Sequence, residues 1–242
     1  MKNSLVIIPT YNEKENITRI IPVIFAYTDN AHILVVDDNS PDGTAEEVEK
    51  LQPEHTGRLY LLKRPRKQGL GTAYIAGFRW ALEREYSYIF EMDADFSHPP
   101  NDLPLLYEAC VQGADVAVGS RYVKGGRVVH WPVSRILISY CASLYVRMIT
   151  WMSVKDTTAG FVCYTKKVLE TIDLDSIRFI GYAFQIEMKY AAWKLGFKIL
   201  EVPIIFEDRR AGESKMSSRI FSEAFTGVWK MRKLSYTKKI NK

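Results

Sequence analysis

The chain has 242 residues, 47% hydrophobic and 25% charged, which suits one domain with a core large enough to stand without disulfides. Its three cysteines, Cys110, Cys141 and Cys163, lie among apolar residues and match no Cys/His spacing. That excludes a disulfide framework or a zinc site and reads as small core thiols in a reducing compartment.

Apolar runs and helical stretches then alternate. A strand is predicted at 5–8, a helix at 15–27, a strand at 33–36, a helix at 44–51 capped by Asp42, and a strand at 59–63. A helix follows at 70–85, a strand at 86–92, a helix from an Asn101 cap to 112, and a strand at 115–118. Strands separated by helices form βαβ units, so this half predicts a doubly wound α/β fold, a mostly parallel central sheet flanked by helices. After a loop at Gly125-Gly126 the pattern is less regular. It gives a long amphipathic helix over 132–152, a strand at 161–164, a helix at 182–195 ended by Gly196, and strands at 197–202 and 204–206.

No secretory leader is expected, because the apolar run after Lys2 stops at Pro9. No membrane-spanning helix is expected either. The longest stretch free of Asp, Glu, Lys and Arg is 136–146, eleven residues, and spanning takes about 20. The net charge of +5 is uneven. Ten Lys and Arg face two Glu between Arg209 and Lys242, leaving the first 208 residues at −3. Such an end serves nucleic acid, an anionic membrane or solubility alone. Interleaved Phe221, Phe225 and Trp229 suit a membrane interface or a docked helix with a charged outer face.

The strongest chemical signal is Asp93-Ala94-Asp95, directly after an apolar strand. Strand positions two apart share a face, so both carboxylates can converge on one hard divalent cation, and ligands bind at the carboxyl ends of such strands. The first strand ends in Pro9-Thr10-Tyr11-Asn12-Glu13, with no Gly-x-Gly-x-x-Gly turn; Tyr11 offers a stacking face and Glu13 acceptors, as a nucleoside would need. The second ends in Asp37-Asp38, either able to accept from a ribose or base. Gly69-Leu70-Gly71 reads as a close strand–helix turn rather than a phosphate loop. Arg121 follows the fifth strand, Arg135 and Ser139 share a helix face, and Arg209 and Lys215 lie in a basic loop. Converged, these would hold more than one phosphate.

In this order the motifs resemble the family 2 glycosyltransferases, and within them the dolichyl- and polyprenol-phosphate mannosyltransferases. The resemblance runs from Val6 to about Met216, including Asp156-Thr157-Thr158-Ala159-Gly160-Phe161 and the segment 206–216. It implies a GT-A (Rossmann-like) nucleotide-diphospho-sugar transferase domain over 1–216, with 217–242 as a basic amphipathic tail. It implies inverting transfer of mannose from GDP-mannose to a polyprenyl or dolichyl phosphate, with Mg2+ or Mn2+. Pro9, Tyr11, Glu13, Val36 and Asp38 match nucleotide-contacting positions, and Asp93, Ala94 and Asp95 the diphosphate and metal segment, with Asp95 the main ligand. Ser97 stands where some members offer Gln to the metal. Arg121, Arg135, Ser139 and Arg209 match acceptor-phosphate positions and Lys215 a donor-phosphate contact. Asp95, Arg121 and Arg209 would carry the catalysis, the two arginines touching the donor as well. The resemblance further implies a peripheral protein at the cytoplasmic face of a membrane, held by its tail, its 132–152 helix or an anchoring subunit, with no nucleic-acid partner.

Three other readings stay open at this level. A UDP-sugar donor of glucose or N-acetylglucosamine fits nearly the same framework. A non-catalytic nucleotide-sugar-binding or scaffold subunit is an alternative of another class. Asp93-x-Asp95-x-Ser97 also resembles an aspartyl-phosphate phosphatase, which would expect the motif near the first strand.

Overall fold

The computed structural model describes residues 1–207, 227–234 and 236. Among residues 1–207, nine strands and seven α-helices follow one another as β1 (Ser4–Thr10), α1 (Lys14–Tyr27), β2 (His32–Asp37), α2 (Thr44–Leu51), β3 (Leu59–Lys63), α3 (Leu70–Leu82), β4 (Tyr88–Glu91), α4 (Leu103–Val111), β5 (Val116–Ser120), β6 (Arg127–Val129), α5 (Val133–Thr150), β7 (Val162–Thr165), α6 (Lys166–Thr171), α7 (Ala183–Lys194), β8 (Ile199–Pro203) and β9 (Ile205–Glu207). Residues 227–233 are also helical.

Seven strands form one sheet in the order β3-β2-β1-β4-β7-β5-β8, and β6 pairs with β9 in a separate two-stranded ribbon. The sheet is parallel except for β7, which runs antiparallel to both β4 and β5. That reversal decides where the site forms. The carboxyl ends of β1, β2, β4 and β5 share one edge, and the amino end of β7 arrives there too. The segment 156–161 is thereby delivered beside Asp93 and Arg121.

Strand alternation splits the core. Leu5, Ile7, Leu34 and Val36 pack with Tyr74, Phe78, Phe184 and Met188 under α3 and α7. Val6, Ile8, Ile33 and Val35 pack with Ile17, Ile20, Ile24 and Leu106 under α1 and α4. A third cluster of Val146, Ile149, Ile186, Tyr190, Val228 and Met231 joins α5, α7 and 227–233. Gly71 shows why the first turn of α3 needs glycine. A Cβ there would stand 2.7 Å from the Phe184 ring and 2.9 Å from the Phe179 carbonyl.

Several expectations are corrected. The fourth strand starts at Tyr88 rather than 86, and the N–H groups of Ser87 and Tyr88 donate to the Asn3 carbonyl. α3 ends at Leu82, three residues early. Asn101 caps no helix, because Pro99-Pro100 leads into a 3-10 turn and the Asn101 amide donates to Asp102. β6 and α6 were not foreseen, being short and weakly patterned. Cys110 and Cys163 are buried, but Cys141 is exposed on α5.

Candidate active site

β4 stops at Glu91, so Asp93 and Asp95 belong to a tight turn rather than to a strand face as the alternation had suggested. The turn is held from inside. The Asp93 N–H donates to His98 Nδ1 at 3.0 Å, and the Tyr74 hydroxyl donates to Asp93 Oδ1 at 3.3 Å. Ser97 donates both its N–H and its hydroxyl to Asp95 Oδ1, at 3.1 and 2.6 Å. His98 is buried and stacks on Phe161. Burial lowers its pKa to about 4 although Asp95 pulls it upward. The ring is therefore neutral, and with Nδ1 accepting, its proton sits on Nε2.

Both carboxylates line a cavity of about 530 Å³ shared with Ser97, His98, Arg121, Arg135, Ser139 and Gln185. Two half-exposed carboxylates opening on a cavity fit a hard divalent cation. No third Asp, Glu, His or Cys joins them among the described residues, so a cation here would draw further oxygens from a diphosphate. Ser97 already spends its hydroxyl proton on Asp95, which places it as a brace for that carboxylate.

Arg121 enters the cavity from the end of β5, and its charge is not loose. Nε and Nη2 form a two-pronged bond with Asp156, at 2.7 and 2.6 Å, and Nη2 also reaches Thr158 at 2.8 Å. The Arg121 N–H donates to the same carboxylate, and the Asp156 N–H donates to Glu201 on β8. Trp131, Tyr122 and Phe206 surround the guanidinium. Arg135 lies 3.9 Å over the Trp131 ring, and Ser139 is one helical turn along.

The remaining candidates sit along the same sheet edge, outside the cavity lining. Lys67 Nζ lies 4.1 Å from the centre of the Tyr11 ring. Glu13 accepts from Asn16, and its N–H donates to the Thr44 hydroxyl. Asp38 forms a buried ion pair with Arg64 at 2.8 Å. Burial raises the Asp38 pKa and Arg64 opposes it. Its neighbour Asp37 is spent on Thr10 and Ser40. Pro9 is half-buried in β1. Val36 and Ala94 are 0% and 4% exposed, so contact with a ligand there falls to their main chain. Arg209 and Lys215 lie outside the described residues.

Four residues escaped the motif reading: His98, Asp156, Gln185 and Lys189. Lys189 is fully buried and donates to the Ala159 carbonyl at 2.6 Å. Glu91, also fully buried, has its pKa raised to about 8 by burial, with Lys189 opposing. Asp156 lay within a quoted motif, but its role needs Arg121, 35 positions away. Nothing local marks the two α7 residues.

Residues 5–173 match the family described as Glycosyl transferase family 2. The chain belongs to that family. Among curated glycosyltransferases it is 46% identical over 233 residues to polyprenol monophosphomannose synthase of Mycolicibacterium smegmatis, covering 96% of this chain and 88% of that protein. It is 47% identical over 224 residues to undecaprenyl-phosphate mannosyltransferase of Micrococcus luteus, covering 93% and 91%. It is 38% identical to dolichol-phosphate mannosyltransferase of Pyrococcus furiosus, covering 94% of this chain and 63% of that protein. Glucosyl-3-phosphoglycerate synthase from Mycobacterium tuberculosis, solved with Mn2+, uridine diphosphate and phosphoglyceric acid, superposes with a TM-score of 0.71 at 14% identity. That match covers 98% of this chain and 86% of that one. The glycosyltransferase thus has the expected GT-A fold, with a mostly parallel sheet.

Proposed function

We propose that this glycosyltransferase moves mannose from GDP-mannose to a polyprenyl phosphate of the dolichyl or undecaprenyl kind, inverting the anomeric carbon and releasing GDP. The observation that carries the reading is one cavity lined by a carboxylate pair, two arginines and an apolar helix face. Diphosphate, acceptor phosphate and lipid chain each find chemistry to match. The names of the curated relatives support the sugar and the acceptor class.

An acceptor phosphate is mostly ionised at pH 7, its second pKa being about 6, so the chain need not supply a general base. Its task is to hold two anionic groups together in line. Arg135 and Ser139 on α5 are assigned to the acceptor phosphate, and Arg121 is held by Asp156 so that it faces both substrates without swinging away. Arg209 and Lys215 are assigned to the same phosphates. Tyr11, Glu13, Asp38 and the main chain at Pro9, Val36 and Ala94 are assigned to the nucleotide. Asp93 and Asp95 would hold Mg2+ or Mn2+, which when bound offsets charge on the departing diphosphate. We assign the catalytic domain to 1–216 and a membrane-facing role at the cytoplasmic leaflet to α5 and the tail over 217–242. No helix among the described residues is long and apolar enough to cross a membrane.

The test is a transfer assay with purified protein, a short polyprenyl phosphate, Mn2+ or Mg2+, and GDP-mannose beside UDP-sugars. Lipid-linked mannose from GDP-mannose, abolished by EDTA and restored by either cation, is expected. Product from a UDP-sugar alone would overturn the donor, and hydrolysis of a generic phosphomonoester without transfer would overturn the class.

A further inference from the structure

Gln185 stands in the first turn of α7 and is 3% exposed. Neither its Oε1 nor its Nε2 makes a hydrogen bond of ordinary geometry among the described residues, although the amide lies close enough to Glu91 to draw that carboxyl's pKa down against the burial that raises it. Yet the side chain lines the cavity with Asp93, Asp95 and His98. A buried amide so incompletely bonded costs stability, and native proteins seldom leave one so. Its amide faces Gly160. A Cβ at Gly160 would lie 3.4 Å from His98 Cε1 and 3.7 Å from Gln185 Nε2, so the imidazole and the amide flank one bare stretch of main chain.

The surroundings say which ligand group suits this amide. Glu91 is its close neighbour on the core side, and the Asp93 turn adjoins the same cavity. A phosphate set directly against this amide would meet the amide oxygen and the Glu91 carboxyl, with no cationic side chain among these groups. A neutral hydroxyl would not be repelled, and it can both donate to Oε1 and accept from Nε2. Vicinal sugar hydroxyls match an amide in this way, with His98 Nε2–H as a further donor across Gly160.

We propose that Gln185 is a specificity-determining residue that hydrogen-bonds hydroxyls of the transferred sugar, with His98 Nε2–H as its partner donor. The proposal rests on the glycosyl-transfer reading above, and it goes beyond that reading in naming what touches the sugar rather than the nucleotide or the acceptor. A site built to bond a hydroxyl discriminates strongly against an analogue that lacks it. A residue that only settles the core does not respond to which hydroxyl is missing.

The test is a residue-by-hydroxyl cycle. kcat/KM is measured for GDP-mannose and its 2-, 3-, 4- and 6-deoxy forms with wild type and Gln185→Met, which keeps the side-chain length and removes the amide. In wild type at least one deoxy donor is expected to lose about tenfold or more. In Gln185→Met that same deoxy penalty should shrink towards one, with GDP affinity unchanged. Equal deoxy penalties in both proteins, with GDP affinity retained, would overturn the assignment. Gln185→Glu, run in the same series, serves if the methionine variant does not fold. If wild type uses another nucleotide sugar, the donor reading fails, and deoxy forms of that sugar test Gln185 by the same cycle. Binding gives an independent arm, in which Gln185→Met should weaken the sugar nucleotide and leave GDP alone; equal weakening of both would count against a sugar contact.

Discussion

Arg121 owes its aim to Asp156. An arginine bonded through Nε and Nη2 to a fully buried carboxylate loses little freedom when a phosphate arrives, because its plane is already fixed. Losing a preorganised charge of this kind costs about 3–4 kcal/mol of transition-state stabilisation, ~10²–10³-fold in rate. Asp95→Ala and Arg121→Ala are each expected to lower turnover by that factor, and near-normal transfer in either would sink its catalytic assignment. Asp156→Ala should do the same and also lower Tm, since a buried guanidinium left without its partner costs about 3–5 kcal/mol. A variant as stable as wild type would mean that Asp156 is not its anchor. At this scale the sequence was legible where a residue's chemistry is local: Asp93, Asp95, Arg121, Arg135 and Ser139 do line one cavity. It was not legible where the role belongs to a pair distant in sequence, as with Asp156, or where packing hides a side chain, as with Val36 and Ala94.

Among the elements, α5 is the least conventional. One stripe at helical spacing, through Val133, Leu137, Tyr140, Leu144, Met148 and Trp151, is exposed, with Trp151 at 73% and Met148 at 68%. The opposite side packs Val146 and Ile149 into the third core cluster. Arg147 neighbours the stripe in sequence, and Arg232 lies over the Trp151 ring. Apolar anchors beside cations suit an anionic bilayer. Replacing Leu144, Met148 and Trp151 together by serine is expected to weaken co-sedimentation with anionic liposomes severalfold while GDP affinity stays the same; unchanged sedimentation would free α5 of that role. The sequence foretold this helix to within two residues at either end, because a long period of apolar side chains is its plainest signal. It foretold most strands too, but not the direction of β7. Periodicity reports which face a strand presents, and says nothing of which way the chain runs.

The whole molecule carries two buried ionisable groups between its sheet and α7. Burial lowers Lys189 to about 8 from 10.5 while Glu91 pulls the other way. Between these two values the unfolded chain binds more protons than the folded one, so the contribution of Lys189 to stability rises with pH through that window. From pH 8 to 10 the urea midpoint of wild type should therefore climb relative to that of Lys189→Met, and a constant gap would show that this lysine is not buried as described. Glu91→Gln combined with Lys189→Met should cost less than the sum of the single changes, by about 0.5–3 kcal/mol.

The reversed strand also orders events in time. β1 to β4 join through short βαβ crossovers, each closed by its own helix. β7 can pair with β4 only after β5, β6 and α5 have been made, because all three lie between the two strands in sequence. As the chain leaves the ribosome, its amino-terminal units are free to fold first. A nascent chain stopped before β7 would already display Asp93 and Asp95, yet have no Asp156 to fix Arg121 and no Gln185 beside the carboxylates. The order of synthesis thus completes the Arg121–Asp156 pair and the Gln185 wall of the cavity last.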